Sequence, residues 1–284
     1  AASLFSSTLT DIGIANKNFE EVQRLQSAYT GGISASFSLI PHEQEYKLAL
    51  HISSKSLEKN EAKMQDLMME TVSESNFTEK ERIKDLLNFI SSANERSLIQ
   101  NGHVLAMSNA GAQINNIAST SDIVSGIGFI TNTGYLAKNI ERNENLEKYI
   151  DILQSIKNKI NLQPIHTFTA TSLEMEKSQL IHQFETKENN LNLQNLLNIQ
   201  EDKIGWITGA QVCYCAEAFP TVDMEHEDAP ALTVLGAVLR NGYLHSAIRE
   251  KGGAYGAGAS QDSKNKIFKF FSYRDPKCSE TFDE

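Results

Sequence analysis

The 284-residue chain is long enough for one large domain or two ordinary ones, and 40% hydrophobic against 22% charged residues leaves enough apolar surface to bury a core. A formal net charge of −10 argues against a general nucleic-acid binder, which needs a basic face for phosphates, and no apolar run approaches the ~20 residues that span a bilayer. The first residues lack a secretory-signal pattern and the three cysteines form no framework, which points to a reducing compartment, cytoplasm or organelle matrix.

In chain order, Leu4, Phe5, Leu9 and Ile12 keep helical spacing and Gly13 ends that run. Asn18, followed by Glu20 and Glu21, opens a second helix through Val22, Leu25 and Ala28. Gly31-Gly32 shape a turn, and the alternating runs Ile33–Ile40 and Tyr46–Ile52 predict a hairpin. Helices are expected over Leu57–Val72, from Ile83 onward behind a Thr78–Glu81 capping pair, over Asn101–Ala112 and over Ile140–Ile160. Gly102, Ala106 and Ala110 would let the third of these approach a neighbour closely. Ile165–Thr171 reads as a strand and Leu173–Phe184 as a helix on it; the Asn-, Gln- and Glu-rich residues 188–203 read as a linker. Beyond it, Ile204–Phe219 reads as a strand. Asp228 and Pro230 start a helix whose stripe is Leu232, Leu235, Val238 and Leu239. Tyr255–Ser260 and Ile267–Tyr273 are further strands, and Thr281 with Glu284 has capping-box spacing. Hairpins mixed with helix pairs give an α+β class: a first domain over 1–187 and a second over 204–284, each an antiparallel sheet with helices on one face, the second expected to be incomplete.

The chemistry is sparse. Neither H-x-x-E-H nor H-E-x-x-H occurs, so no zinc ligands are expected in the chain. Glu225-His226-Glu227-Asp228 reads as a solvated turn, and Cys213 and Cys215 as strand residues on one face, not the C-x-x-C of a metal or redox site. The glycines of Gly252-Gly253-Ala254-Tyr255-Gly256-Ala257-Gly258 follow a helix, whereas a phosphate cradle opens one. No G-x-S-x-G elbow is present. Arg249 and Tyr255 remain. Taken from the residues alone, they are either a solvated cation and a tyrosine packed on the sheet, or a donor pair projecting into one cavity.

The run Arg249-Glu250-Lys251-Gly252-Gly253-Ala254-Tyr255-Gly256, followed by Ser272-Tyr273-Arg274-Asp275-Pro276, resembles the fourth domain of the pitrilysin/insulinase zinc peptidases, presequence-protease branch. Thr30-Gly31-Gly32-Ile33-Ser34 and Asn101-Gly102-His103 are similar to that family's third domain. The resemblance implies tandem peptidase-family domains from the C-terminal half of a zinc metallo-endopeptidase, in which two bowl-shaped halves enclose unstructured peptides. It implies Arg249 and Tyr255 as assisting contacts to the substrate carbonyl and oxyanion, and Gly253 and Ala254 as substrate-binding neighbours. Zn2+ would be bound by an N-terminal catalytic half of the same protein, the expected partner besides the peptides; neither nucleic acid nor membrane is expected to bind. This piece alone would be inactive. The alternative is a non-catalytic peptidase-like subunit, or a peptide-binding scaffold, that pairs with an active subunit.

Overall fold

The computed structural model describes residues 1–42, 45–160, 170 and 203–284. The expected strand at 165–171, helix at 173–184 and linker at 188–203 fall outside the described residues, save residues 170 and 203. The elements run α1 (Ala2–Leu9), β1 (Gly13–Ile14), α2 (Phe19–Tyr29), β2 (Ile33–His42), β3 (Glu45–Ser54), α3 (Glu61–Ser73), β4 (Ser75–Asn76), α4 (Lys80–Gln100), α5 (Gly102–Ala112), α6 (Asn116–Ser125), α7 (Ile127–Asn139) and α8 (Asn143–Lys159). There follow β5 (Ala216–Pro220), α9 (Ala229–Asn241), a π-helical turn (His245–Lys251), β6 (Gly256–Asp262), β7 (Ile267–Tyr273) and a 3-10 turn (Ser279–Phe282). This is the α+β class read from the sequence.

Packing divides the described residues into two compact units. One holds residues 1–40, 47–89 and 136–160; the other holds residues 90–135 and 203–284. The sequence division is sequential, whereas these units interleave, because α5 packs on β5 and β7.

In the first unit, Asn18 closes a capping box. Its Oδ1 accepts the Glu21 amide at 3.0 Å, and Glu21 Oε2 accepts the Asn18 amide at 2.9 Å. The capping pair expected at Thr78 and Glu81 does not form. Asn76 Oδ1 accepts the Thr78 amide, and the Glu79 carboxylate instead takes the amides of Gly13 and Phe19, each at 3.1 Å. Those bonds tie the start of α2 to the start of α4, beside the two-residue pairing of β1 with β4. The core gathers Phe5, Leu9, Ile12, Val22, Leu67, Ile83 and Leu153, with Phe5 and Phe77 ring centroids 5.9 Å apart. Tyr149 of α8 is buried in the same unit.

In the second unit, the strands order β5-β7-β6, all antiparallel. β7 pairs on both edges: Phe271 meets Ala216 on one side and Gly258 on the other. Alternation then sorts its side chains. Phe268 and Phe270 join Ala257, Ala259, Leu232, Leu239 and Ile248 in a core under α9 and the π turn. Phe271 and Tyr273 face α5, where the His103 ring lies 5.8 and 4.6 Å from theirs. Helices therefore cover both faces of this sheet.

The strand expected over 204–219 shrinks to Ala216–Pro220. Its only partner is β7, which runs out at Tyr273; upstream, a lone bridge joins Cys213 to Asp275, and Ile204 and Ile207 stay exposed. Of the expected α9 stripe, Leu232 and Leu239 pack inward, while Leu235 and Val238 stay exposed. Helices α6 and α7 went unread in the sequence. Asn115 caps α6 by accepting the Ala118 amide, and buried Asp122 accepts the amides of Ile127 and Gly128 at the start of α7. No helix among the described residues is long and apolar enough to cross a membrane.

Burial pushes the Tyr149 phenol up to about 12, with the Thr8 hydroxyl offsetting only part of the effect. The fold tolerates the neutral phenol. Its contribution is therefore whole below the ordinary phenol value of about 10 and is lost as pH rises towards 12. Denaturant titrations should show the wild type losing on the order of 2 kcal/mol more than Tyr149→Phe across that window; parallel losses would contradict the assignment.

Candidate functional site

The π turn fixes the site. Gly252 donates its amide to Ala247 O at 2.9 Å, Gly253 to Arg249 O at 3.1 Å and Ala254 to Ile248 O at 3.1 Å. The last two bonds resemble the paired bonds of a glycine helix cap, each reaching one residue further, as the wider π turn demands. Gly253 holds φ at +87°, which an L side chain adopts only under strain. The Ala254 methyl is buried in the core below, so the chain is pinned there and reverses. Tyr255 then donates its amide to Arg274 O at 3.3 Å and enters β6.

Arg249 and Tyr255 thus flank one turn. Arg249 is exposed and makes no side-chain hydrogen bond or ion pair among the described residues. Tyr255 is 65% exposed, and its phenol has no hydrogen-bond partner there either. Its ring leans edge-on against Tyr273, with centroids 5.6 Å apart. Gly253 lies exposed on the turn between them, whereas Ala254 offers the surface no side chain.

The run Ser272–Pro276 supports the Tyr255 side of this turn. Ser272 and Asp275 are both buried. The Ser272 amide donates to Cys215 O at 2.9 Å, and Ser272 Oγ accepts the Cys215 amide. Asp275 exchanges two backbone bonds with Cys213, and its carboxylate accepts the Lys277 amide at 2.9 Å and Thr281 Oγ1 at 2.8 Å. Thr281 therefore serves Asp275 rather than the capping box read with Glu284. Arg274, between these anchors, is exposed, with φ at +49°.

An aromatic row continues from Tyr255 and Tyr273 to His103 of α5 and Tyr214, whose ring lies 5.9 Å from Tyr273. The Tyr214 hydroxyl donates to Ile99 O at 2.6 Å. Gly102 lies so close to the Tyr214 ring that a methyl there would overlap it, the close approach expected of the small residues in this helix. Burial pushes the His103 imidazole down, so it is neutral at pH 7. Sequence reading assigned none of these supporting residues a role. Tyr273 and Arg274 stood inside a quoted motif, but His103 and Tyr214 are distant in sequence and carry no local signal.

The cysteines are free thiols. Burial pushes Cys213 up, and pushes Cys215 up to about 12, so both stay protonated at neutral pH. Glu225–Asp228 is a local turn in which His226 Nδ1 accepts the Asp228 amide at 3.2 Å. Among the described residues no three His, Cys, Asp or Glu side chains converge as a metal site. The zinc that the resemblance implies therefore has no ligand set in them.

Residues 1–136 match the family model of the associated region in subfamily C of the M16 peptidases, and residues 206–284 match "PreP C-terminal domain". The presequence protease, mitochondrial, of Yarrowia lipolytica is 30% identical over 98% of this chain and 29% of its own length. That of Drosophila melanogaster is 28% identical over 99% of this chain and 28% of its own length. The chain thus spans under a third of these relatives. A solved structure of a peptidase M16 inactive domain from Pseudomonas fluorescens aligns at 16% identity over 98% of this chain and 65% of that one, with a TM-score of 0.49.

The turn makes a direct demand on Gly253. Gly253→Ala should cost about 1 kcal/mol in denaturant unfolding, and Gly253→Asn less, because Asn tolerates positive φ better. Equal, negligible losses would show that the turn does not depend on this glycine.

Proposed function

The chain belongs to the M16 peptidase family, in its presequence-protease branch, and on that premise we propose that it is the substrate-gripping part of a longer zinc metallo-endopeptidase that degrades unstructured peptides. Zinc and its general base lie, in this reading, on the part of the protein outside this chain. That N-terminal catalytic half is its partner, and no step below runs through the metal. An organelle matrix suits the mitochondrial designation of the relatives.

The observation that carries the reading is the pair of uncommitted donors on one rigid turn. Arg249 presents a planar guanidinium with several N–H groups, and Tyr255 a single O–H on a rotatable bond. When water adds to a scissile peptide carbonyl, negative charge collects on the carbonyl oxygen. Donors already held at that oxygen stabilise the charge more than they stabilise the ground state. Exposure without an internal partner is what such donors need, since a salt-bridged Arg249 would first have to break that bridge. The turn supplies the preorganisation, because its amides, its glycine and the buried Ala254 leave little freedom between the two residues.

In the full-length protein, Arg249→Ala and Tyr255→Phe should each lower kcat/KM for an unstructured peptide by about 10- to 1,000-fold, the scale of an oxyanion contact. Unchanged turnover would refute the assignment. Expressed alone, the chain should bind no stoichiometric zinc and leave such peptides intact; tight zinc in metal analysis would overturn that division of labour.

A further inference from the structure

The run Ser272–Pro276 contains a feature that the proposed role of Arg249 and Tyr255 does not use. Arg274 is a non-glycine residue at φ +49°, a conformation that costs about 1–2 kcal/mol for an L residue. Such strain persists only where the surroundings enforce it, and here they do. Ser272 and Asp275 on either side are 1% exposed and fully bonded to the Cys213–Cys215 strand and the Lys277–Thr281 turn. The strained backbone sends the side chain over two rings. The guanidinium carbon lies 5.9 Å from the Tyr255 centroid and 5.4 Å from that of Tyr273, and it has no carboxylate partner among the described residues.

We propose that Arg274 is a positioning residue for Tyr255, and that its cation, held over the ring, fixes the direction in which the phenol donates. Tyr255 is 65% exposed and otherwise rests only on the edge of Tyr273, so its ring is free to turn unless something holds it. A guanidinium over both rings does so by cation–π attraction. The backbone adds a second link, since the Arg274 carbonyl accepts the Tyr255 amide at 3.3 Å. Tyr273 is backed in turn by His103 at 4.6 Å, and that imidazole is neutral and so does not repel the cation. The arrangement gives the site two arginines with different duties. Arg249 meets the substrate; Arg274 meets the tyrosine that meets the substrate.

This inference rests on the role proposed for Tyr255, and a double-mutant cycle in the full-length protein separates the two. The readout is kcat and KM for an unstructured fluorogenic peptide. Arg274→Gln should lower kcat by about two- to fivefold with little change in KM, the fold-change equivalent of an exposed cation–π contact. Arg274→Lys, which keeps the cation, should recover part of that loss. Arg274→Gly relieves the backbone strain, so it should leave the melting temperature equal or higher while kcat still falls. In a Tyr255→Ala background, Arg274→Gln should change nothing further. An undiminished effect in that background would overturn the proposal, because Arg274 would then act without the ring. So would unchanged kcat in Arg274→Gln alongside impaired Tyr255→Ala, which leaves the role of Tyr255 standing. Unchanged activity in Tyr255→Ala itself would instead sink the reading of the site, and this inference with it.

Discussion

Three amides closing back on a π-helical turn are the constraint on which the site depends. Gly252, Gly253 and Ala254 donate to Ala247, Arg249 and Ile248, and in doing so they decide where Arg249 stops and where Tyr255 starts. An ordinary α-helical ending would rotate the two residues differently about the turn. The wide turn is stabilised from below. Ala247, Ile248 and Ala254 bury their side chains with Ala259 and Phe268, so the polar bonds and the apolar core hold the same backbone. Tyr255 is then caught by the Arg274 carbonyl, which lies at the far end of β7 and is itself clamped by Ser272 and Asp275.

Much of this was legible in the sequence, and the reasons are local. Asn18 with Glu21 is a short-range device, and it forms as read. The run Ile267–Tyr273 alternates cleanly and is bounded by turn residues, and β7 has those limits. The double glycine after a cationic helix end did mark a chain reversal, and Arg249 and Tyr255 do stand on its two sides.

What was not legible depends on partners far away in the chain. Ile204–Phe219 alternates like a strand, but alternation cannot report that β7 is too short to pair with most of it. Thr78 and Glu81 have capping-box spacing, yet Asn76 and Glu79 each found a different bond, one local and one to amides some sixty residues earlier. Arg274 is the sharpest case. Its left-handed backbone follows from two buried neighbours bonded to a strand near Cys213, and nothing in the residues around it announces that. The interleaving of the compact units has the same origin: α5 lies about a hundred residues before β5 and still packs on it.

Hydrogen exchange on the full-length protein, with and without a saturating unstructured peptide that it cannot cleave, tests most directly whether substrate is gripped at this turn. If it is, bound peptide should slow exchange at the amides around Arg249–Tyr255 and at Tyr273–Arg274, with α9 unaffected. Protection confined to other parts of the protein, with the turn exchanging as fast as in the free state, would contradict it.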